Sequence, residues 1–171
     1  MFWPNPGVGA LRSLRMDGLD RTDRRILHWL QTNVEELTNE EIGERVGVSS
    51  TTVGERITNL EERGVIVSYD AQIDYERAGI PHHLLLFCSV PVSRRESVVA
   101  DLLEHPVVVD VRELLSGTEN VHVEVVGTSL DEIRDAVETM EADGVTVERS
   151  EVVVDEQRRP FGGLGSREVF E

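Results

Sequence analysis

Apolar positions recur with a helical period three times between Asp20 and Gly64, and the gaps between the three runs are short. The first run opens at Asp20, a good N-cap, and sets Ile26, Leu27 and Leu30 on one face. The second opens with Thr38-Asn39-Glu40-Glu41, a capping box in which Thr38 and Glu41 satisfy each other's backbone donors. That helix buries Ile42 and Val46 and stops at Gly47. The third begins at Ser49 and runs to Arg63, with Val53, Ile57 and Leu60 as its apolar stripe and Gly64 ending it. Two helices joined by a three-residue, glycine-containing turn have the spacing of a DNA-binding helix-turn-helix. A three-helix bundle used only for packing is the plain alternative; the turn and the polar outer face of the third helix argue against it.

From Val65 to Asp74 the alternation predicts a strand or hairpin, which makes residues 19–64 a winged-type helix-turn-helix domain and 65–81 a strand linker. Ala78-Gly79-Ile80-Pro81 reads as the boundary. Residues 82–156 then carry strand, helix, strand, strand, helix, strand. His83–Val92 is apolar; Ser93–Glu96 reads as a second capping box before Val98, Val99, Leu102 and Leu103. Val107–Leu115 and Val121–Val126 flank the turn Gly117-Thr118-Glu119-Asn120. Ser129–Glu132 reads as a third capping box, opening a helix with Leu130, Ile133, Val137 and Met140, and Val145–Asp155 is the last strand. The order βαββαβ predicts a ferredoxin-like antiparallel sheet with both helices on one face, so the chain as a whole is α+β. Its strands are rich in valine, and the bare sheet face predicts burial against a second copy. Residues 1–18 read as a disordered extension, with Met16 a second candidate start, and 157–171 as a flexible tail.

Charge complicates this picture. The net charge is -16, and all 17 basic residues are arginine. Phosphate neutralisation supplies much of a DNA binder's affinity, so an acidic chain argues either against nucleic acid or for a cell with molar internal salt. In about 1 M salt the screening length is only ~3 Å, and net charge repels little beyond contact. Acidic residues spread along the whole chain favour the second reading, as in a halophilic archaeon. The apolar runs are too short to span a membrane, and the N-terminus lacks a signal-peptide pattern, so the expected location is the cytoplasm. The single cysteine, Cys88, sits in a strand-like apolar run and reads as a buried small hydrophobe.

Several residues carry a resemblance to a known family. They are Leu19-Asp20, Asp23 and Ile26-Leu27; then Ser49, Val53, Arg56-Ile57, Leu60 and Gly64-Val65-Ile66; then Tyr69, Ala71 and Gly79. Over about residues 19–155 the chain resembles the Lrp/AsnC (feast/famine) transcription regulators. The resemblance implies a dimer built on the C-terminal sheets, often assembled into tetramers or octamers, and a small effector, usually an amino acid. It places that effector near Gly117, Thr118 and Asn120, where Asn120 stands in place of the family's usual aspartate. An ordinary hairpin turn accounts for the same residues.

On the third helix, 100° per residue puts Thr51, Glu55, Thr58 and Glu62 opposite Val53, with Thr52 and Asn59 on the flank. Ser49, Ser50, Thr51, Thr52 and Glu55, near the N-terminus, are therefore candidates to enter the major groove. Hydroxyls bond to base edges or phosphate, and a glutamate accepts from a cytosine amine. Arg56 reads as a phosphate clamp, against pairing with an acidic neighbour. Thr38 and Asn39 offer helix N-terminal N–H groups to phosphate. His28, His82, His83, His105 and His122 have no ligand spacing, and neither a metal site, a cofactor nor a nucleophile with its base is evident.

The leading expectation is a ligand-responsive, sequence-specific DNA-binding regulator rather than an enzyme. Two alternatives are a subunit like those of sirohaem decarboxylase, which has a similar two-domain order, and a metabolite sensor without DNA contacts.

Overall fold

The computed structural model describes residues 18–32, 37–115 and 118–164. They form two compact units, one comprising the described residues up to Ala71 together with Gln157–Leu164, the other the described residues of Gln72–Glu156.

In the first unit, α1 (Arg21–Thr32), α2 (Asn39–Val46) and α3 (Ser50–Glu62) fall where the periodicity puts them. Each start has a side-chain cap. Asp20 and Asp23 exchange caps at the head of α1, each carboxylate accepting the other's backbone N–H. Thr38 and Glu41 form the expected reciprocal box, and Ser49 Oγ accepts the Thr52 N–H at 3.1 Å. Gly47 ends α2 at φ +88°, a conformation that costs other residues strain. The core is Ile26, Ile42, Val46 and Val53, with Trp29, Leu30, Leu37, Val48 and Ile57 against it.

Gly43, inside α2, was not singled out by pattern. A Cβ there would lie 2.6 Å from the Val48 carbonyl oxygen. That same α2 turn receives the chain, since the Gly43 carbonyl accepts the N–H groups of Gly47 and Val48. The absence of a side chain lets the turn fold back onto α2 and sets the approach of α3.

The second unit is the ferredoxin-like βαββαβ arrangement. Its sheet has the order β2-β3-β1-β4, antiparallel throughout, from β1 (His82–Ser89), β2 (Val108–Glu113), β3 (Val121–Gly127) and β4 (Thr146–Val152). The helices α4 (Arg95–Leu103) and α5 (Leu130–Ala142) pack on one face over Leu86, Cys88, Val121, Val123 and Val125. Val98 and Leu102 from α4, and Ile133, Ala136 and Met140 from α5, complete that core.

Five expectations need correction. Residues 65–81 form no strand: the segment finds no ladder partner, Val67, Tyr69 and Ile73 are exposed, and the turn at 75–79 belongs to the second unit. Ser93 is not a cap, because a 3-10 turn over Val92–Arg94 precedes α4 and Arg94 occupies the cap position. At α5, Ser129 caps as expected, yet Glu132 reaches one residue further back to Thr128, and Leu130 points outward. The valines of the strand centres mostly do not line the open sheet face, Val126 beside His83 being an exception. Val111, Val121, Val123, Val125 and Val147 face the helices, and the other side carries His83, Leu85, Phe87, Arg112, His122, Glu124, Val126 and Arg149. There the buried Glu124 side chain lies 2.7 Å from His83 Nε2 and accepts from Arg112 at 3.3 Å. Finally, part of the C-terminal tail is packed: a 3-10 turn at Gly162–Leu164 lies against α1, and the Phe161 N–H donates to Gln31 Oε1 at 3.0 Å.

Candidate nucleic-acid interface

The outward side of α3 presents Ser50, Thr51, Glu55, Thr58, Asn59 and Glu62 to solvent, while Val53 and Leu60 are fully buried. Ser50 and Thr51 stand at the helix N-terminus, where backbone N–H groups are unpaired within the helix and the dipole is positive. Ser49 and Thr52 were expected in the groove as well. Their hydroxyls lie 2.9 Å apart and serve the cap, so their first role is to start α3. Asn59 Oδ1 accepts from Arg63 at 3.3 Å.

Arg56 is placed differently from a phosphate clamp. Its Nη1 donates to Asp20 Oδ2 and to Asp23 Oδ1, both at 2.7 Å, and Asp23 is buried. Burial pushes the Asp20 carboxyl up, but the Asp23 N–H and the Arg56 guanidinium outweigh it and hold the group below its ordinary value. The same pairing raises Arg56. A cation so engaged ties α3 to the cap of α1. Arg25 acts similarly, donating to the carbonyls of Arg45 and Val46 at the C-terminus of α2.

At the start of α2, Thr38 is committed to its capping box, and accepting N–H and hydroxyl donors from Thr38 holds Glu41 below its usual value. Asn39 lies over α3: its Nδ2 is 3.3 Å from where a Gly54 Cβ would sit. Thr38 and Asn39 therefore mark a capped helix N-terminus directly beside α3, with the Thr38 N–H taken by Glu41 Oε2.

In the second unit, Gly117 lies outside the described residues. Thr118 is exposed, and its carbonyl accepts from the Asn120 N–H and from Ser89 Oγ. Asn120 is not available to an effector. It is buried, and both halves of its amide bond the backbone of Val90. Cys88 is fully buried; burial, with the Glu148 carboxylate nearby, pushes its thiol up to about 12. Among the described residues no cluster of three metal-ligating side chains occurs, and no helix is long and apolar enough to cross a membrane.

The comparisons with known proteins agree with this geometry. Residues 19–61 match the AsnC-type helix-turn-helix domain. The HTH-type transcriptional regulator YezC of Bacillus subtilis is 33% identical over 126 residues, 74% of this chain and 88% of its own. Among solved structures, the regulator NMB0573 of Neisseria meningitidis, crystallised with L-Met, superposes with a TM-score of 0.68 at 25% identity, over 84% of this chain and 94% of its own. The leucine response regulatory protein of Mycobacterium tuberculosis shares the fold, with a TM-score of 0.70 at 24% identity over 83% and 100% of the two chains. A capped bihelical reader, a ferredoxin-like second unit and these likenesses together place the chain in the Lrp/AsnC family of helix-turn-helix transcriptional regulators.

Proposed function

We propose that the chain is a dimeric, amino-acid-responsive regulator that reads duplex DNA with the N-terminal half of α3. The observation that carries this is the exposed hydroxyl-bearing start of α3 beside the capped N-terminus of α2. Ser50, Thr51 and Glu55 take the base edges, Asn59 the flank, and the N–H of Asn39 at the start of α2 a phosphate, with Thr38 holding that start through its capping box. Ser49 and Thr52 support them through the cap. Two copies related by a dyad would read half-sites about 34–36 Å apart.

The effector reading rests on the L-Met complex of the Neisseria relative. In this chain Gly117 and Thr118 would receive the amino acid, while the Asn120 side chain is engaged by the backbone of Val90. Effector binding and DNA binding would then be linked through the state of assembly, dimer or larger. The absence of lysine and the charge of -16 support a cytoplasm rich in salt, as in a halophilic archaeon.

The test is fluorescence anisotropy with the chain's own promoter fragment, titrated with KCl and candidate amino acids. Thr51→Ala is expected to weaken operator binding about tenfold while leaving non-specific binding unchanged, because one base contact is lost. No binding by the wild type under any potassium concentration would overturn the reading.

A further inference from the structure

Register on the open side of the sheet sorts charge into rows. Opposed residues in an antiparallel ladder point to the same face, so Asp110, Glu124, Leu85 and Glu151 stand side by side across β2, β3, β1 and β4. Two residues along each strand, Arg112, His122, Phe87 and Arg149 form a second line in the same order. The first row is acidic around a leucine, the second cationic and aromatic around a phenylalanine, and they run about 7 Å apart. Contacts within the chain hold both rows in place. Arg112 lies 3.0 Å from Asp110 and 3.3 Å from Glu124, and Arg149 lies 3.0 Å from both Glu119 and Glu151. The Arg149 guanidinium covers the Phe87 ring, which meets the His122 ring edge to face.

This pattern is self-complementary. A two-fold axis parallel to the rows and midway between them lays each acidic row over the basic row of a second copy. Leu85 then stands over the partner's Phe87 and Glu124 over the partner's His122, with Asp110–Arg112 and Glu151–Arg149 pairs on either side. Stacked sheets lie about 10 Å apart, a gap that such side chains fill from both sides. The helix layer offers no such match, since α5 carries five carboxylates against Arg134 alone. Closure also shifts a proton balance. Asp110, Glu124 and Glu151 outnumber Arg112 and Arg149, and burying an unmatched carboxylate is costly. Glu124, the buried one, has His83 Nε2 at 2.7 Å and Arg112 beside it, the Tyr75 ring stands edge-on to His83, and the second copy adds its own His122. Imidazoles ordinarily titrate near pH 6.5, so protons taken up there neutralise the excess. We propose that the open face binds a second copy of the chain in this one register, acidic row over basic row, and that closure takes up protons at His83 and His122.

This inference rests on the dimeric reading above, and its test separates the two. Sedimentation equilibrium of the full-length chain in KCl measures the dimer Kd, and circular dichroism shows that each variant is folded. Glu151→Arg sets arginine over the partner's Arg149, and Arg149→Glu sets glutamate over the partner's Glu151. Each variant alone is expected to raise the Kd at least about tenfold, because like charges then meet on both sides of the axis. An equimolar mixture of the two restores every pair and should return a heterodimer of wild-type affinity. The wild-type Kd should also rise about tenfold from pH 6 to pH 8, as the imidazoles lose their protons, and His122→Gln should reduce that rise. If the wild type is a dimer but the single variants pair as tightly, or their mixture pairs no better than either alone, the register is wrong and the dimeric reading stands. A wild-type Kd equal at both pH values overturns the proton uptake. If the wild type is a monomer throughout, both readings fall.

Discussion

Asn120 bonds Val90 twice: Oδ1 accepts its N–H at 2.9 Å, and Nδ2 donates to its carbonyl at 2.9 Å. The amide thus continues the β1–β3 pairing beyond the last backbone partners, Cys88 and Val121. Removing it leaves two buried backbone groups without partners. Asn120→Ala should therefore lower the stability of the ferredoxin-like unit by about 2 kcal/mol. Asn120→Asp should fare no better, because a carboxylate cannot donate to the Val90 carbonyl. Urea unfolding followed by circular dichroism measures both; wild-type stability in the aspartate variant would show that the bond donated to Val90 does not brace the unit.

The Arg56–Asp20–Asp23 cluster predicts an acid-sensitive first unit. The Asp20 carboxyl is held below its unfolded value, so the folded state binds fewer protons than the unfolded one in that range. Its contribution is complete above about pH 4, the ordinary aspartate value, and is lost as pH falls through the lower folded value. Asp20→Asn should flatten the acid limb of the thermal-midpoint profile. Arg56→Met, by stranding the buried Asp23, should cost about 2 kcal/mol at neutral pH.

Gly43 and Gly54 make a contrasting pair. Gly43→Ala drives a methyl to 2.6 Å from backbone oxygen at Val48, which cannot move without opening the turn. A loss of about 1–3 kcal/mol and of operator binding is expected. Gly54→Ala meets only the tip of the Asn39 side chain at 3.3 Å, so it should be tolerated and gain helix propensity. Thermal melts of the two variants side by side decide this.

The Cys88 thiol is buried and pushed up to about 12, so it is neither accessible nor ionised at neutral pH. A thiol-specific chromogenic reagent at pH 8 should react negligibly with the native chain and with one equivalent after denaturation. Prompt native labelling would mean that the helix layer opens readily.

The sequence by itself determined the three capped helices, the turn between the last two and the βαββαβ order. Each of these rests on short-range physics: periods of 3.6 and 2, a capping side chain three residues from its partner, a glycine at positive φ. The capped starts at Asp20, Thr38, Ser49 and Ser129 were legible for that reason. What Arg56 and Asn120 do was decided by tertiary structure. Arg56 meets Asp20 and Asp23 from 33 to 36 residues away, and Asn120 meets Val90 from 30 residues away. Whether such a group faces a ligand or braces the fold depends on which partner the packed chain brings within 3 Å, and local pattern carries no record of that distance. The open sheet face shows the same limit. The valines counted along the strands all looked alike, but register sent Val121, Val123 and Val125 to the helices and left Glu124 and His122 on the other side.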